Sequence, residues 1–182
     1  VAWVGCALAV SLLTRTLGGG GRVQLAAALL ALGVPSGILQ ASSTNTNLLA
    51  AYWLLALVYF TLEGRREFSW ASAVPASVSL ALALFTKPTA YLFGLPWGLW
   101  LLFSWGRNLR WRFWRPLLVA MDLILLVNGP YFLRNLAWMG HPLSSTQDQE
   151  FAHSDHYGPA LLGTNLVRHL ALELQTPWPR AN

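Results

Sequence analysis

Six apolar runs separated by short loops constrain this chain more than any other feature. The runs are Val1–Leu13, Val23–Leu39, Leu48–Leu62, Trp70–Phe85, Ala90–Trp105 and Pro116–Phe132. Most of them approach the roughly 20 residues that a helix needs to cross a bilayer. The chain is 55% hydrophobic and 10% charged, whereas about a quarter of the residues of a soluble domain are charged. The sequence therefore predicts an all-α fold, with a polytopic transmembrane bundle of about six helices over residues 1–132.

The loops between the runs predict how this bundle is oriented. Three alternate loops carry arginines, at positions 15 and 22, 65 and 66, and 107 to 115. Arginine-rich loops of membrane proteins lie on the cytoplasmic side, so the loop Gln40–Asn47, Lys87 and everything after Phe132 are expected to face outward. The net charge of +5 follows from these loops and does not indicate nucleic-acid binding. The first run is short and has no basic residues before it, which argues against a signal peptide and predicts a helix that begins upstream of Val1.

The stretch Phe85-Thr86-Lys87-Pro88-Thr89 joins two of the runs and contains the only lysine of the chain. A proline pushes the preceding residue out of the α region and suits the start of a new helix, so the stretch predicts a helical hairpin with Lys87 at its tip. Two interpretations stay open for this ammonium. It either anchors the hairpin at the membrane surface or binds an anionic group such as phosphate.

The last part of the chain, residues 133–182, is more polar. We expect an outer-face loop followed by an amphipathic surface helix over Gly163–Gln175, because leucines and polar residues there fall on two faces. The leucines are Leu166, Leu170 and Leu174, and the polar residues are Asn165, His169 and Glu173.

Four further groups are candidates for chemistry, each with a structural alternative. Asp122 lies inside the sixth run, where an ionisable residue is a functional candidate, although pairing with a nearby arginine would also explain it. Arg134, followed by Asn135, lies on the outer side against the orientation rule, and its guanidinium suits phosphate. The loop Gln40–Asn47 could bind a sugar or cap the next helix. The segment His153-Ser154-Asp155-His156 could hold a divalent metal, although solvated loop histidines are commoner.

Several of these segments occur in a familiar order. QASSTNTN opens a span, FTKPTAYLF forms a hairpin tip, NGPYFLRNLAWMGHPLSS leads out of a span, and NLVRHLALELQTPW follows. Between about Leu30 and Trp178 this order resembles the polytopic C-type glycosyltransferases, especially family 39 relatives. Those include aminoarabinose transferases, protein O-mannosyltransferases and dolichyl-phosphate-mannose-type transferases.

The resemblance implies an integral membrane enzyme, in the bacterial inner membrane, that transfers a sugar from a polyprenyl-phosphate donor at the outer face. The acceptor would be a lipid, a glycan or a protein. Lys87, Arg134, Asn135 and Arg168 would contact the donor, and the cations would stabilise the leaving phosphate. The catalytic acidic residue of such enzymes lies in the first outer loop, which we expect upstream of Val1, so no catalytic residue is assigned within this sequence. Relatives often carry an acidic residue where this chain has Asn47, and this difference removes an acidic contact.

A transporter is the alternative from another class. Transporters place polar or ionisable groups near the middle of the membrane, and Asp122 is the clear candidate here. Most polar residues instead gather at the predicted outer face, which favours chemistry there. A structural membrane subunit is a third possibility, which the polar tail argues against.

Overall fold

A computed structural model describes residues 1–65, 67–142 and 158–174, and every regular element in these ranges is a helix. The helices are α1 (Ala2–Thr16), α2 (Gly21–Gly33), α3 (Pro35–Ala41), α4 (Asn47–Glu63), α5 (Trp70–Thr86), α6 (Thr89–Leu109), α7 (Trp114–Met139) and α8 (Pro159–Leu174), with a 3-10 turn (Arg110–Phe113) between α6 and α7. The predicted all-α class is confirmed, and each of the six apolar runs is helical. The predicted surface helix corresponds to α8.

The second apolar run forms two helices where the sequence predicted one. The chain bends by 64° between α2 and α3. Val34 has an extended backbone, with φ −64° and ψ 119°, because the ring of Pro35 excludes the α conformation from the residue before it. Pro35 then begins α3, where its missing N–H costs nothing.

The sixth run forms a longer helix than predicted. The predicted span ended at Phe132, but α7 continues to Met139, so Arg134 and Asn135 lie on a helix and not in a loop. The helix ends at Gly140, whose φ of 74° is left-handed and favours glycine. Pro130 is accommodated within the helix, as prolines often are when neighbouring helices satisfy the backbone.

Contacts between helices give their relative directions. The Cys6 thiol near the start of α1 donates to the carbonyl oxygen of Leu48 near the start of α4, and Arg15 and Glu63 line one pocket at the other ends. Helices α1 and α4 are therefore parallel. Helix α7 runs parallel to α5, because Asn128 contacts Ala81 and, further along both helices, Tyr131 contacts Phe85.

These directions divide the loops between two ends of the bundle. The arginine end comprises the loops 17–20 and 64–69 and the 3-10 turn, which carry or adjoin most of the arginines. The lysine end comprises the loop 42–46, the Lys87-Pro88 turn and the turn 140–142. The structure thus collects at one end the three loops that the sequence singled out by their arginines.

Helix α5 lies at the centre and packs against α4, α6 and α7. Its buried residues are all small, and they let neighbouring backbones approach closely, as is common between membrane helices. They are Ser72, Ala73, Ala76, Ser77, Ser79, Ala81 and Ala83. The large side chains of the core are Leu57, Leu101 and Trp105, which pack with alanines of α5 and α7 towards the arginine end.

Among the described residues, one helical stretch, Thr89–Met139, is long and apolar enough to cross a membrane, and the bent pair α2 and α3 would count as a second if it formed one span. Helices α1, α4 and α5 are apolar but shorter, with 15, 17 and 17 residues. The stretch Thr89–Met139 is itself two antiparallel helices, because α6 runs against α5 and α7 runs along it. The chain reverses at the 3-10 turn, where Arg110 has a φ of 50°.

Candidate functional site

Lys87 lies between two helices at the lysine end, as the sequence predicted. Its backbone is extended, with φ −158° and ψ 136°, and its N–H donates to Ala83 at the last turn of α5. Pro88 follows as the N-cap of α6. The side chain is half-buried, so the ammonium sits close to the bundle and not at the end of a fully solvated stem.

The ammonium of Lys87 donates a hydrogen bond to Oδ1 of Asn47, the first residue of α4. This contact joins the start of α4 to the turn between α5 and α6, 40 residues further along the chain. Since Asn47 is neutral, it orients the ammonium without cancelling its charge. Lysine has three donors, so two remain for other acceptors.

The loop before α4 is organised by its own polar side chains. Asn45 Oδ1 accepts from the N–H of Asn47, and Ser43 Oγ accepts from the N–H of Asn45. The Asn45 side chain thus satisfies the first N–H of α4, whereas the N-cap residue Thr46 makes no side-chain cap bond. Sugar binding by this loop stays a prediction.

Arg134 belongs to the same end of the bundle through an aromatic pair. Its guanidinium carbon lies 5.6 Å from the ring centroid of Tyr131, within the range of a cation–π interaction. The Tyr131 ring in turn meets Phe85 edge to face at 6.2 Å between centroids. Because Phe85 is two residues before Lys87, the two cations lie at one level of the bundle, and the side chain of Arg134 is exposed.

Asn135 is placed differently from its neighbour. It is 2% exposed, and its amide donates to the carbonyl oxygen of Pro142 at 3.3 Å. The side chain thus holds the turn after α7 against the helix. A direct contact of Asn135 with a substrate stays a prediction.

The charged side chains that the structure describes at the lysine end are cations. No aspartate or glutamate occurs in the ranges 33–50, 82–92 and 128–142, which surround it, whereas Lys87 and Arg134 both lie there. An anion approaching this surface meets two cations and no carboxylate from these ranges. Phosphate is an anion that both lysine and arginine bind in proteins.

An apolar cavity of about 280 Å³ opens between α5, α6 and α7. Leu84 and Tyr91 line it near Lys87, and Trp105 and Leu117 line it towards the arginine end. From Tyr91 to Trp105 it follows α6 for about 21 Å at 1.5 Å per residue. Its lining is almost wholly hydrocarbon, with Gly94 and Gly98 leaving space along α6. The arrangement suits a long apolar chain attached to an anionic head.

Two other candidates lie elsewhere. Arg168 is exposed on α8, and α8 packs against α3, which is a lysine-end element. Asp122 is exposed on α7 and does not line the cavity, although its neighbour Met121 does.

The predicted metal ligands fall in another part of the chain. Among residues 1–65, 67–142 and 158–174, no group of three metal-ligating side chains occurs. The candidate segment at positions 153 to 156 lies outside these ranges, so a divalent metal there stays a prediction.

Two contributors to the site were missed at the level of sequence. From the sequence, Asn47 was noted only because it replaces an acidic residue, and no role was predicted for Tyr131. Asn47 contacts Lys87 from a different helix, and Tyr131 contacts Arg134 from one turn earlier on the same helix. The spacing of Tyr131 and Arg134, three residues apart on one helix, would have shown their contact had α7 been predicted to extend that far.

Comparison with models of known protein families, with curated proteins and with solved structures found no match to this chain.

Proposed function

We propose that this chain is part of a polytopic membrane glycosyltransferase, and that its lysine end binds the phosphate of a polyprenyl-phosphate sugar donor. The observation that carries the proposal is the position of Lys87. In the chain it lies between Leu84 and Tyr91, which line one end of the apolar cavity. Its half-buried ammonium is oriented by Asn47 at the start of α4. A polyprenyl phosphate has the matching form, an anionic head on a long apolar chain.

Membrane embedding is supported by the apolar surface of the helices. Large apolar side chains are exposed on most of them, including Leu30 at 75%, Leu92 at 73% and Leu126 at 75%. Water-soluble monomers rarely expose large contiguous apolar patches. The concentration of arginines at one end supports an orientation with that end in the cytoplasm, which puts Lys87 at the outer face.

The proposed roles follow from charge. In glycosyl transfer the phosphate leaves the anomeric carbon and gains negative charge, so donors aimed at its oxygens lower the barrier. Lys87 contacts the phosphate as a point charge, and Arg134, held over Tyr131, supplies a second cation. Arg168 is assigned a supporting contact with the donor, and Asn135 an indirect role through the turn that its buried amide holds against α7. These residues bind and stabilise the donor, whereas activation of the acceptor requires a carboxylate that this set does not contain.

Decaprenyl phosphate and decaprenol test the proposal, because the two lipids share a tail and differ in the phosphate. The Lys87→Gln variant should bind decaprenyl phosphate about ten- to a hundredfold more weakly, since a charge-assisted contact contributes roughly 1.5–3 kcal/mol. Its affinity for decaprenol should not change. Lys87→Arg should also lose affinity, because a planar guanidinium does not fit a position shaped for a compact ammonium.

Arg107→Gln is the matched control, since it removes one exposed cation from the arginine end. It should leave both affinities unchanged. If Lys87→Gln binds decaprenyl phosphate as well as the wild type does, Lys87 is only a membrane anchor and the proposed site is wrong. A proton- or ion-coupled transport activity of the reconstituted protein, lost in Asp122→Asn, would favour a transporter instead.

A further inference from the structure

A polar pocket lies at the arginine end, far from the donor site. It has a volume of about 430 Å³ and forms where α1 and α4 end side by side. Its lining residues come from the last turns of the two helices and the loop after α4: Arg15, Thr16, Tyr59, Leu62, Glu63 and Arg65. Among the described residues, the lining thus combines two guanidinium groups and one carboxylate.

The charges in this pocket are of both signs. Arg15 and Arg65 present planar guanidinium groups, which suit the oxygens of a phosphate. Glu63 is negative, and the C-terminal ends of α1 and α4 add partial negative charge from their last carbonyl groups. A simple anion would be repelled by this second set of groups. A ligand that carries both a phosphate and a cation satisfies both sets.

The negative side of the pocket continues into a neighbouring cavity. That cavity has a volume of about 590 Å³. It shares Tyr59 and Glu63 with the polar pocket, and Glu67 is a further lining residue. Glu63 therefore lies between the two spaces, with arginines on one side and a second carboxylate on the other. The cation of a bound zwitterion would lie towards Glu63 and Glu67, and its phosphate towards Arg15 and Arg65.

We propose that this pocket binds the phosphoethanolamine headgroup of a membrane phospholipid from the cytoplasmic leaflet. The proposal rests on the membrane orientation given under the proposed function, but not on glycosyl transfer. Basic pockets between transmembrane helices on the cytoplasmic side bind the headgroups of anionic lipids such as cardiolipin, and the carboxylates of this pocket add a position for a cation. A primary ammonium can donate three hydrogen bonds to carboxylates and carbonyls, whereas the quaternary ammonium of phosphatidylcholine can donate none. The pocket should therefore distinguish these two lipids.

The test measures lipid binding to the purified full chain by native mass spectrometry. Phosphatidylethanolamine, phosphatidylcholine and phosphatidylglycerol with identical acyl chains are titrated, and soluble glycerophosphoethanolamine shows whether the headgroup binds without its chains. We expect phosphatidylethanolamine to bind about tenfold more tightly than phosphatidylcholine, which corresponds to one lost charge-assisted contact. Glu63→Gln should abolish this preference. Arg65→Gln should weaken binding of both lipids.

Asp122→Asn is the control, because it removes a carboxylate from α7 outside both cavities. It should keep the preference of the wild type. Equal binding of phosphatidylethanolamine and phosphatidylcholine, tighter binding of phosphatidylglycerol than of either, or an unchanged preference in Glu63→Gln would overturn the proposal. Binding of decaprenyl phosphate should be the same in Glu63→Gln and the wild type. The phospholipid assay and the decaprenyl phosphate assay therefore test the two proposed sites separately.

Discussion

Filling the apolar cavity should separate recognition of the lipid tail from recognition of its phosphate. Gly98 lines the cavity on α6, and a Cβ added there would have Leu80 at 3.9 Å as its nearest neighbour, which is ordinary contact. A leucine at this position therefore extends into the cavity without displacing the backbone. It occupies space that the proposal assigns to the polyprenyl chain.

The expected loss of affinity follows from the volume of lipid tail that the leucine side chain displaces. A leucine side chain has four carbons, and it displaces about as many carbons of a bound chain. At about 0.8 kcal/mol for each buried CH₂ group, the loss is about 3 kcal/mol, or roughly a hundredfold in affinity. The loss should appear for decaprenyl phosphate. It should be much smaller for citronellyl phosphate, whose short tail would not extend past the first turns of α6.

The assay is competition binding of the two phosphates to the wild type, Gly98→Leu and Gly106→Leu. Gly106 is the matched control, because it lies on the same helix, does not line the cavity, and a Cβ added there would have no neighbouring atom within 4 Å. Gly106→Leu should behave as the wild type. If Gly98→Leu binds the long and the short lipid with wild-type affinities, the tail does not occupy this cavity.

Three further predictions concern packing and orientation. Asn128 is fully buried, and its amide donates from α7 to the Ala81 carbonyl oxygen on α5 at 3.1 Å. Asn128→Ala should therefore lower the free energy of unfolding, measured in detergent, by about 1–3 kcal/mol. An unchanged melting temperature would contradict a stabilising role of this hydrogen bond. Gly5→Ala should destabilise the protein, because its Cβ would lie 2.9 Å from the Tyr52 ring, whereas Gly129→Ala, with nothing within 4 Å, should be neutral or stabilising. A cysteine at Ser43 in intact cells should react with an impermeant thiol reagent and one at Arg110 should not, and the reverse pattern would place Lys87 in the cytoplasm.

The helices were largely predictable from hydrophobicity. Runs of apolar residues indicate the positions of the helices from α1 to α7, and the arginine positions indicate the grouping of loops at one end. The break between α2 and α3 was not predicted, although Val34-Pro35 contains the physical reason for it. Prolines are tolerated inside membrane helices, so the whole run is equally compatible with one span. Helix α7 of the same chain continues through its internal Pro130.

The candidate site was predictable in its charges but not in its geometry. Lys87 stands out in the sequence as a lone lysine beside a proline, and Arg134 as an arginine on the side where few are expected. The hydrogen bond from Lys87 to Asn47 depends on how α4 packs against α5, which no local pattern encodes. The cavity likewise lies where α6 and α7 both pack on α5 but pack little against each other, which no local pattern encodes either.

Photo-cross-linking tests the central claim most directly, because it locates the phosphate on the intact chain without any substitution. A polyprenyl phosphate with a photoreactive group on the first isoprene unit is irradiated with the protein in membranes, and the cross-linked peptides are identified by mass spectrometry. The proposal predicts labels within residues 82–92 and 42–50, which an excess of decaprenyl phosphate prevents. Labels confined to the arginine end, within residues 14–22 or 107–115, would contradict it.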